Sequence, residues 1–476
     1  MDRILRICNS VKKKIVPSLR LKQMVRARAE EIRQSVESES RKSKVEAEVR
    51  LDGSVAKDTW VRGYEEADIF MRVSPQLTKQ QLRNICLPIA KRALSPSKTI
   101  ERFAEHPYVE SAVSFPGGTL RVNVVPCYNV QKGDWHSATD RTPYHTEYVR
   151  SHLSEEQHDE VRLLKAFLRG IGGYGADIKT GGFSGMISET LIIARGTFRS
   201  ALESFVEWNE DRYIDVENYY DGRMNEVRKI FREPLVVIDP VDKGRNLGAA
   251  VRASQLWNLV AASRVFSSKP SAAFFFEPKI RPLTRFEFRR QLNTRKSGIL
   301  CIRLGRIDAV VDILWSQLYR TQRALVGLLE SSNFVVMKSA SWSDEKAFNA
   351  LIFELESSTI PATRKHCGPP ISKRSESSSF VSKHRENAST VSGPSIENDR
   401  WVVIKRRPFT LAKTLLRSVF RSGGAGVGVA PLLIREFKRS AKVYEGSEVA
   451  ELVSRNSDFG KFMRTFLDGR PVWFAE

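Results

Sequence analysis

The sequence predicts a multidomain α+β protein, and three observations lead to that class. Its 476 residues exceed the usual length of one domain, and length alone favours about three. Strand-like and helical segments follow one another within the first ~130 residues, which is typical of a small domain of sheet and helix. Hydrophobic residues make up 41% and charged residues 28% of the chain, which is the ordinary balance of a globular protein.

The first 150 residues contain the predicted sheet. Residues 1–50 are highly charged and helical in pattern. Short apolar runs around two glycines predict strands within 46–75, and a helical stretch is expected over 76–104. The run Leu120-Arg121-Val122-Asn123-Val124-Val125 predicts another strand.

From residue 154 the pattern becomes helical. Ser154 and Gln157 form a capping box, which predicts the start of a helix. That helix carries Lys165 on an otherwise apolar face, and the glycines of 170–175 end it. Residues 186–194 read as a second buried helix.

The second half alternates between the two kinds of pattern. A short strand is expected over 235–238, and a helix near Asn246. Residues 281–360 mix strand-like and helical segments, and 401–404 again read as a strand. Residues 371–398 are rich in Ser and Lys, so composition alone predicts a linker there.

Net charge is the first indication of function. Lys and Arg number 77 against 55 Asp and Glu, a surplus of +22. Such a surplus captures polyanions, of which nucleic acid is the usual one and an anionic membrane the less usual one. A basic surface that serves only solubility is the remaining alternative.

Several classes of protein are excluded by pattern. No run approaches the ~20 apolar residues that span a bilayer, and the N-terminus lacks the apolar centre of a secretory signal. The five cysteines are scattered, with no Cys-x-x-Cys pair, so neither a disulfide framework nor a zinc site is expected. A reducing, cytoplasmic location is predicted.

The segment from Gly53 to Phe70 carries the chemistry. Glu66 and Asp68 stand two apart in a strand-like run, so their carboxylates project from one face and suit Mg²⁺. Ser54 follows Gly53 at an expected helix N-terminus, a favourable place for a phosphate, and Lys57 adds positive charge. A turn followed by a solvated strand edge is the alternative interpretation of this segment.

This segment resembles the signature of the DNA polymerase β-like nucleotidyltransferase superfamily and, more narrowly, that of the archaeal (class I) CCA-adding enzymes. The similarity is close over roughly residues 1–275 and looser over 360–405. Further segments that resemble the family are Val122-Asn123-Val124-Val125-Pro126-Cys127-Tyr128, Asp140-Arg141-Thr142-Pro143-Tyr144-His145, Asp159 to Lys165, Gly172 to Ala176, Gly181 to Gly185, and Asp239 to Asn246.

The resemblance implies a reaction and a set of site residues. The protein would add C, C and A to the 3′ end of tRNA from CTP and ATP without a template, releasing pyrophosphate. Glu66 and Asp68 would be catalytic and bind Mg²⁺. The residues implied in nucleotide binding are Ser54, Lys57, His145, Lys165, Tyr174 and Arg245. The alternative interpretations are that His145 is an ordinary turn residue and that Tyr174 only packs, whereas Lys165 on an apolar face needs a partner because unpaired buried lysines are rare.

The resemblance also implies domains and partners. A nucleotidyltransferase head (1–150) would precede a helical, nucleotide-binding neck (151–232), the first part of an α/β body (233–280), an RNA-binding tail (281–400) and the second part of the body (401–476). The implied partner is tRNA, bound at its acceptor stem and T-arm, with no membrane and with a homodimer as one possibility. Residues 371–398 would then hold a helix rather than a linker.

Residues 423–428 follow a helical pattern rather than a strand, so their glycines predict a turn and not a nucleotide-binding loop.

One position departs from the family pattern. The third metal carboxylate falls at position 123, where this chain has Asn123. An amide keeps an oxygen but not the charge, and neither Asp134 nor Glu110 is favoured by spacing as a substitute. The alternative function is therefore a catalytically impaired paralogue that binds tRNA 3′ ends. A poly(A) or oligoadenylate synthase is a second alternative.

Overall fold

The computed structural model describes residues 3–103, 106–209 and 213–474. The chain divides into two compact units, one formed by Met1–Lys279 with Arg470–Glu476 and the other by Ile280–Gly469. No helix in the described part of the chain is both long and apolar enough to cross a membrane. The mixture of helices and sheets in both units agrees with the predicted α+β class.

A five-stranded sheet forms the N-terminal part of the first unit. Its strands are β1 (Ala47–Asp52), β2 (Glu66–Val73), β3 (Thr99–Phe103), β4 (Pro107–Phe115) and β5 (Gly118–Tyr128). Their order across the sheet is β1-β2-β5-β4-β3, and only the pair β2 and β5 is parallel. Strand β5 therefore lies at the centre of the sheet.

Three helices accompany this sheet: α2 (Leu19–Lys42), the single turn α3 (Gly53–Ala56) and α4 (Lys79–Ala93), whereas α1 (Arg3–Ile15) buries Cys8, Val11 and Ile15 in the helical core described next. Helix α2 buries Val25, Ala29, Ile32 and Val36, whose spacing of three or four places them on one face. These side chains pack with those of α4 and one face of the sheet in a single core. The opposite face of the sheet is left for polar side chains.

The rest of the first unit is mainly helical. Its elements are α5 (Thr142–His152), α6 (Glu155–Gly170), α7 (Gly185–Arg195), α8 (Phe198–Val206), α9 (Met224–Ile230), the strands β6 (Ile238–Asp239) and β7 (Asp242–Asn246), and α10 (Ala253–Ser268). Helix α6 crosses the centre of this core, where the ring of Phe167 lies 5.6 Å from that of Phe198 and 5.4 Å from that of Phe266.

The second unit contains two antiparallel sheets. Its elements are α11 (Arg285–Arg295), β8 (Gly298–Leu304), α12 (Val311–Ser331), β9 (Val336–Ser343), β10 (Asn349–Leu355), β11 (Thr363–Pro370), α13 (Arg374–Arg385), β12 (Thr390–Glu397), β13 (Arg400–Arg406), α14 (Ala412–Ser422), α15 (Pro431–Arg439), β14 (Lys442–Glu445), α16 (Val449–Arg455) and α17 (Ser457–Asp468). The strand orders are β14-β8-β10-β9 and β11-β13-β12.

Several predicted elements are confirmed. The side chain of Gln157 accepts a hydrogen bond from the Ser154 backbone at the start of α6, as the capping box requires. The buried helix expected over 186–194 is α7, and α13 lies within 371–398 as the resemblance implied. The glycines of 423–428 form a turn after α14.

Two element boundaries were wrong. Asn246 caps a single 3-10 turn, Leu247–Ala250, by accepting a hydrogen bond from the Gly248 backbone, but the helix does not continue from there: Val251 and Arg252 are extended, and the α-helix begins only at Ala253. The helix expected over 76–104 ends at Ala93. Residues 99–103 instead form the edge strand of the sheet, where β4 supplies the backbone partners.

Candidate active site

Strand β2 carries the two predicted metal ligands on the polar face of the sheet. Alternate residues of a strand point to opposite faces, and Ala67 and Ile69 are fully buried in the core. Glu66 and Asp68 therefore project from the other face. The parallel register sets Asp68 directly opposite Asn123 of β5, so the three side chains predicted to form the metal site lie together.

Asn123 is hydrogen-bonded to both carboxylates. Its amide Nδ2 donates to Glu66 Oε1 at 2.7 Å and to Asp68 Oδ1 at 2.9 Å. Its Oδ1 is buried and has no hydrogen-bond partner among the described residues. Burial, with the neighbouring charge of Glu66, raises the pKa of Asp68 to about 7. The amide group thus relieves only part of the repulsion between the two acids.

The donor set of this cluster suits a hard divalent cation. Two adjacent carboxylates that are both ionised repel each other strongly in a buried environment, and a bound cation would offset this repulsion. A rotation of the Asn123 amide by half a turn would direct its unpartnered oxygen toward the same point, giving a third oxygen donor. Within the described ranges, no three His, Cys, Asp or Glu side chains converge as metal ligands, because the third position here is an amide.

Gly53 and Ser54 form the turn that faces this cluster. Gly53 has φ of +70°, and a Cβ placed on it would lie 2.1 Å from Asp68 Oδ2. Only glycine permits both this conformation and this approach. Ser54 is the second residue of α3 and is half-buried. The backbone of α3 is thereby held directly beside Asp68.

Lys57 and Lys165 meet at one buried carboxylate, that of Glu189. Lys57 Nζ lies 2.5 Å from Glu189 Oε2, and Lys165 Nζ lies 2.9 Å from Glu189 Oε1. The Thr59 hydroxyl donates to the same Oε1 at 2.5 Å and accepts from Lys165 at 3.0 Å. Lys57, Lys165 and Glu189 are 9%, 3% and 0% exposed. Two cations therefore share one anion.

The two ammonium groups and the single carboxylate shift one another's pKa values. Burial opposes the ionisation of Glu189, but the Lys165 and Lys57 ammonium groups and the hydrogen bonds of Lys57 and Thr59 prevail and lower its pKa to about 2. Burial lowers the pKa of Lys165, which Glu189 only partly offsets. An incoming anion would be attracted by the surplus positive charge.

Arg162 fixes the loop that carries Lys57 and Thr59. This side chain is fully buried and donates to the backbone oxygen of Trp60 at 2.9 Å. It also forms ion pairs with Asp58 at 2.5 Å and with Asp159 at 2.7 Å. Helix α6 therefore holds the loop through both Arg162 and Lys165.

Tyr174 lies beside Lys165 at the start of α7. A Cβ placed on Gly185 would lie 3.2 Å from the Tyr174 hydroxyl and 3.6 Å from Lys165 Nζ, so all three groups are close. The Arg169 guanidinium lies 4.1 Å from the centre of the Tyr174 ring. Burial raises the pKa of Tyr174 to about 12, which keeps its hydroxyl a donor.

His145 and Arg245 share the buried carboxylate of Asp239. His145 Nε2 lies 2.9 Å from both oxygens of Asp239, and Arg245 donates to its Oδ2 at 2.8 Å. Burial lowers the pKa of His145, although Asp239 opposes this. Both residues line a cavity of about 600 Å³ that also includes Ser184 and Met186 of the α7 region.

The predicted site residues therefore form three groups in one unit: the acids with Asn123 and Ser54, the lysines with Tyr174, and His145 with Arg245. Sequence reasoning missed Glu189, Asp239 and Arg162, which hold the second and third groups in place. A signal existed for Glu189, because it is an acidic residue within an otherwise apolar helical run. Nothing in the local pattern of Arg162 distinguished it from a solvated helix residue.

Comparison with known proteins gives matches over most of the chain. Residues 159–276 match the family described as tRNA nucleotidyltransferase, second domain, and residues 295–441 match the C-terminal domain of the CCA-adding enzyme. The CCA-adding enzyme of Methanosarcina acetivorans is 33% identical over 461 residues, covering 96% of this chain and 97% of that protein. That of Halorubrum lacusprofundi is 32% identical over 482 residues, covering 99% and 100%.

Solved structures give a weaker likeness. The structure of a cytoplasmic RNA terminal U-transferase is 12% identical in sequence, with a TM-score of 0.44. The match covers 58% of this chain and 98% of that one. The sequence identities to full-length relatives carry the assignment, and they show that the chain belongs to the family of CCA-adding enzymes, the tRNA nucleotidyltransferases.

Proposed function

We propose that this chain adds C, C and A to the 3′ end of tRNA from CTP and ATP, without a nucleic-acid template. The terminal 3′-hydroxyl of the RNA loses its proton to solvent as its oxygen forms a bond to the α-phosphorus, the bond from that phosphorus to the bridging oxygen breaks, and pyrophosphate leaves. The observation that supports this most directly is the pair of acids on β2 beside a buried, positively charged cluster in the same unit.

Glu66 and Asp68 are the residues we propose to hold the catalytic cation. Mg²⁺ is the preferred ion, because few protein carboxylates and the substrate phosphates together complete its octahedral shell. When bound, the ion supplies Lewis-acid stabilisation of the reacting oxygens. Gly53 keeps the backbone of Ser54 close to Asp68, which would bring the phosphates and the carboxylates together.

Lys57, Lys165 and Tyr174 are proposed to bind the triphosphate. The two ammonium groups exceed the charge of Glu189, and a phosphate oxygen would replace part of the contact that Lys57 now makes. Negative charge grows on the leaving pyrophosphate, so these cations favour the transition state. The Tyr174 hydroxyl, protonated at neutral pH, would donate to a phosphate or ribose oxygen.

His145 and Arg245 are proposed to contact the nucleotide in the cavity that they line. Asp239 fixes both side chains by hydrogen bonds, so their donors are presented in a set geometry. The neutral form of His145 is favoured by burial. The Arg245 guanidinium would donate hydrogen bonds to the edge of the C or A base.

The second unit is proposed to bind tRNA. Residues 280–469 contain 32 Lys and Arg against 18 Asp and Glu, which is most of the excess charge of the chain. Duplex RNA is recognised mainly through phosphates and 2′-hydroxyls. The acceptor stem and T-arm offer such a duplex, and a basic surface of this size would favour it.

The test is incorporation of labelled CTP and ATP into tRNA that ends before CCA, with Mg²⁺ present. We expect two C residues and then one A, and loss of transfer in Glu66→Ala and Asp68→Ala with tRNA binding retained. Near-normal transfer by both variants would contradict the metal assignment. Use of ATP alone would instead favour a poly(A) or oligoadenylate synthase.

Asn123 is the observation behind a second candidate function, binding of tRNA 3′ ends without transfer. The retained acids and lysines favour catalysis over this candidate. Tight tRNA binding with no incorporation under Mg²⁺ or Mn²⁺ would support the second candidate instead.

Three further features remain predictions. We propose the division into head, neck, two-part body and tail with the boundaries given above, which limited proteolysis would test. A homodimer would be detected by light scattering of the purified protein. A cytoplasmic location would be tested by fractionation of the source cells.

A further inference from the structure

Asp52 lies on the side of Asp68 opposite to Asn123. It is the last residue of β1, and the antiparallel register sets it directly across from Asp68. Residues paired in this way share a face of the sheet, as the ion pair of Glu48 with Arg72 (2.8 Å) shows for a pair on the same two strands. A row of Asp52, Asp68 and Asn123 therefore crosses three neighbouring strands.

The carboxylate of Asp52 is buried with little compensation. The side chain is 0% exposed, and its Oδ2 has no hydrogen-bond partner among the described residues. Arg50 lies 3.5 Å from Oδ1 but also contacts Glu147 at 2.7 Å, and although the charge of Lys57 attracts Asp52 as well, burial prevails and raises the pKa of Asp52. Burial of a poorly paired acid destabilises a fold, so this acid calls for an explanation other than stability.

We propose that Asp52 supplies to the metal site the negative charge that Asn123 lacks. The inference rests on the function proposed above. Directly opposed residues have Cβ atoms about 4.5–5.5 Å apart, so the charge of Asp52 acts at short range in a buried environment. Its oxygens are covered by protein, and it is not one of a converging set of ligands. Asp52 is thus a positioning residue that acts through the field at Asp68.

The other nearby acids do not meet this need. Glu110 is paired with Asn123 on the far side of the row, but Arg102 lies 3.0 Å from its carboxylate and neutralises it. Asp134 has a side chain that is 76% exposed, and its contact is with His136. Asp52 combines full burial with an unpartnered oxygen, which neither of these acids does.

The experiment measures Mn²⁺ binding by electron paramagnetic resonance, without tRNA or nucleotide. Asp52→Asn should weaken Mn²⁺ affinity on the order of tenfold, as expected for the loss of one charge at this range. Glu110→Gln, the matched control from the same row, should leave it unchanged. Asn123→Asp in the Asp52→Asn background should restore affinity, and should raise it by more than the same change does in the natural chain.

Stability separates this role from a merely structural one. Without metal, Asp52→Asn should raise the midpoint of thermal unfolding, because it removes an under-compensated charge, while its Mn²⁺ affinity falls. Asp52→Ser provides a second neutral variant. Natural Mn²⁺ affinity in the neutral variants, or no restoration by Asn123→Asp, would overturn the inference.

The same measurements separate the two proposals. If the natural chain adds CCA but Asp52 does not affect Mn²⁺ affinity, only this inference fails. If the variants follow the expected pattern of Mn²⁺ affinity but no nucleotide is added, the proposed function fails and the charge relation stands.

Discussion

The carboxylate of Glu189 lies 2.5 Å from the ammonium group of Lys57, and both side chains are buried. Lys165 contacts the same carboxylate at 2.9 Å. One anion between two cations leaves a net positive charge away from solvent, which a phosphate can neutralise. Glu189 therefore holds the lysines in place before the nucleotide binds, and this arrangement leads to the first prediction.

Glu189→Gln should destabilise the protein at neutral pH. The change leaves two buried lysines without their counter-charge, which costs about 3–5 kcal/mol for a broken buried pair. Glu189 has a pKa of about 2 in the folded protein against an ordinary value of 4.5. Its stabilisation is therefore present above pH 4.5 and is lost as the pH falls toward 2.

Urea unfolding of both proteins at pH 7 and at pH 3 checks this. The difference in unfolding free energy should shrink at the lower pH. Glu203→Gln is the control, since Glu203 forms an exposed pair with Arg199 and should change stability little at either pH. An equal difference at both pH values would contradict the pKa assigned to Glu189.

Asn123→Asp should increase the rate of nucleotide transfer. The new carboxylate would stand where the amide now donates to Glu66 and Asp68, and would attract the cation rather than occupy its place. Affinity for CTP and ATP should change by much less than the rate, because the lysines provide that binding. Single-turnover rates and nucleotide Kd values, with Mg²⁺ and with Mn²⁺, measure the two effects separately. An unchanged rate would show that the amide does not limit transfer.

Arg245→Ala should reduce selectivity for C and A. Asp239 fixes the Arg245 guanidinium at 2.8 Å on the wall of the cavity, and loss of one such base contact costs about 1–3 kcal/mol of discrimination. The ratio of CTP to UTP incorporation should fall by about tenfold or more. Lys243→Ala, an exposed cation on the same strand β7, should leave the ratio unchanged. A reduced rate with an unchanged ratio would assign Arg245 to phosphate binding instead.

Arg289→Glu with Arg290→Glu on α11 should weaken tRNA binding and flatten its dependence on salt. Both side chains are exposed and have no ion pair in the described part of the chain, and Phe286 beside them is 76% exposed. Each lost phosphate contact should lower the salt slope by about one unit. Filter binding at several salt concentrations measures this. Arg41→Glu with Lys42→Glu on α2, which reverses two exposed cations of the first unit, is the control, and an equal effect of both double changes would mean that only net charge matters.

The local parts of the site could be predicted from the sequence. Two acids at a spacing of two in a strand must share a face, so Glu66 and Asp68 were identified correctly as neighbours on one surface. A lysine within an apolar helix needs a buried partner, and Lys165 has one. These inferences depend only on the periodicity of strands and helices.

The long-range parts could not be predicted in this way. Glu189 is 132 residues from Lys57, and no periodicity relates positions so far apart. Strand β4 was missed because its residues alternate only weakly, and its partners on β5 and β3 decide its conformation. The helix expected from Asn246 was only partly correct, because Asn246 caps a short 3-10 turn at Leu247–Ala250 and the extended residues Val251 and Arg252 separate this turn from the α-helix.

The central position of β5 has a consequence for biosynthesis. Strand β2 has β1 on one side and β5 on the other, and β5 begins only at Gly118. A nascent chain that stalls before this residue presents an open strand edge, with the apolar run of Ile69, Phe70 and Met71 next to it. Such a fragment would pair with the same open β2 edge of another incomplete copy. Synthesis through Tyr128 therefore protects β2 from pairing with other copies of the chain. It also brings Asn123 beside Glu66 and Asp68.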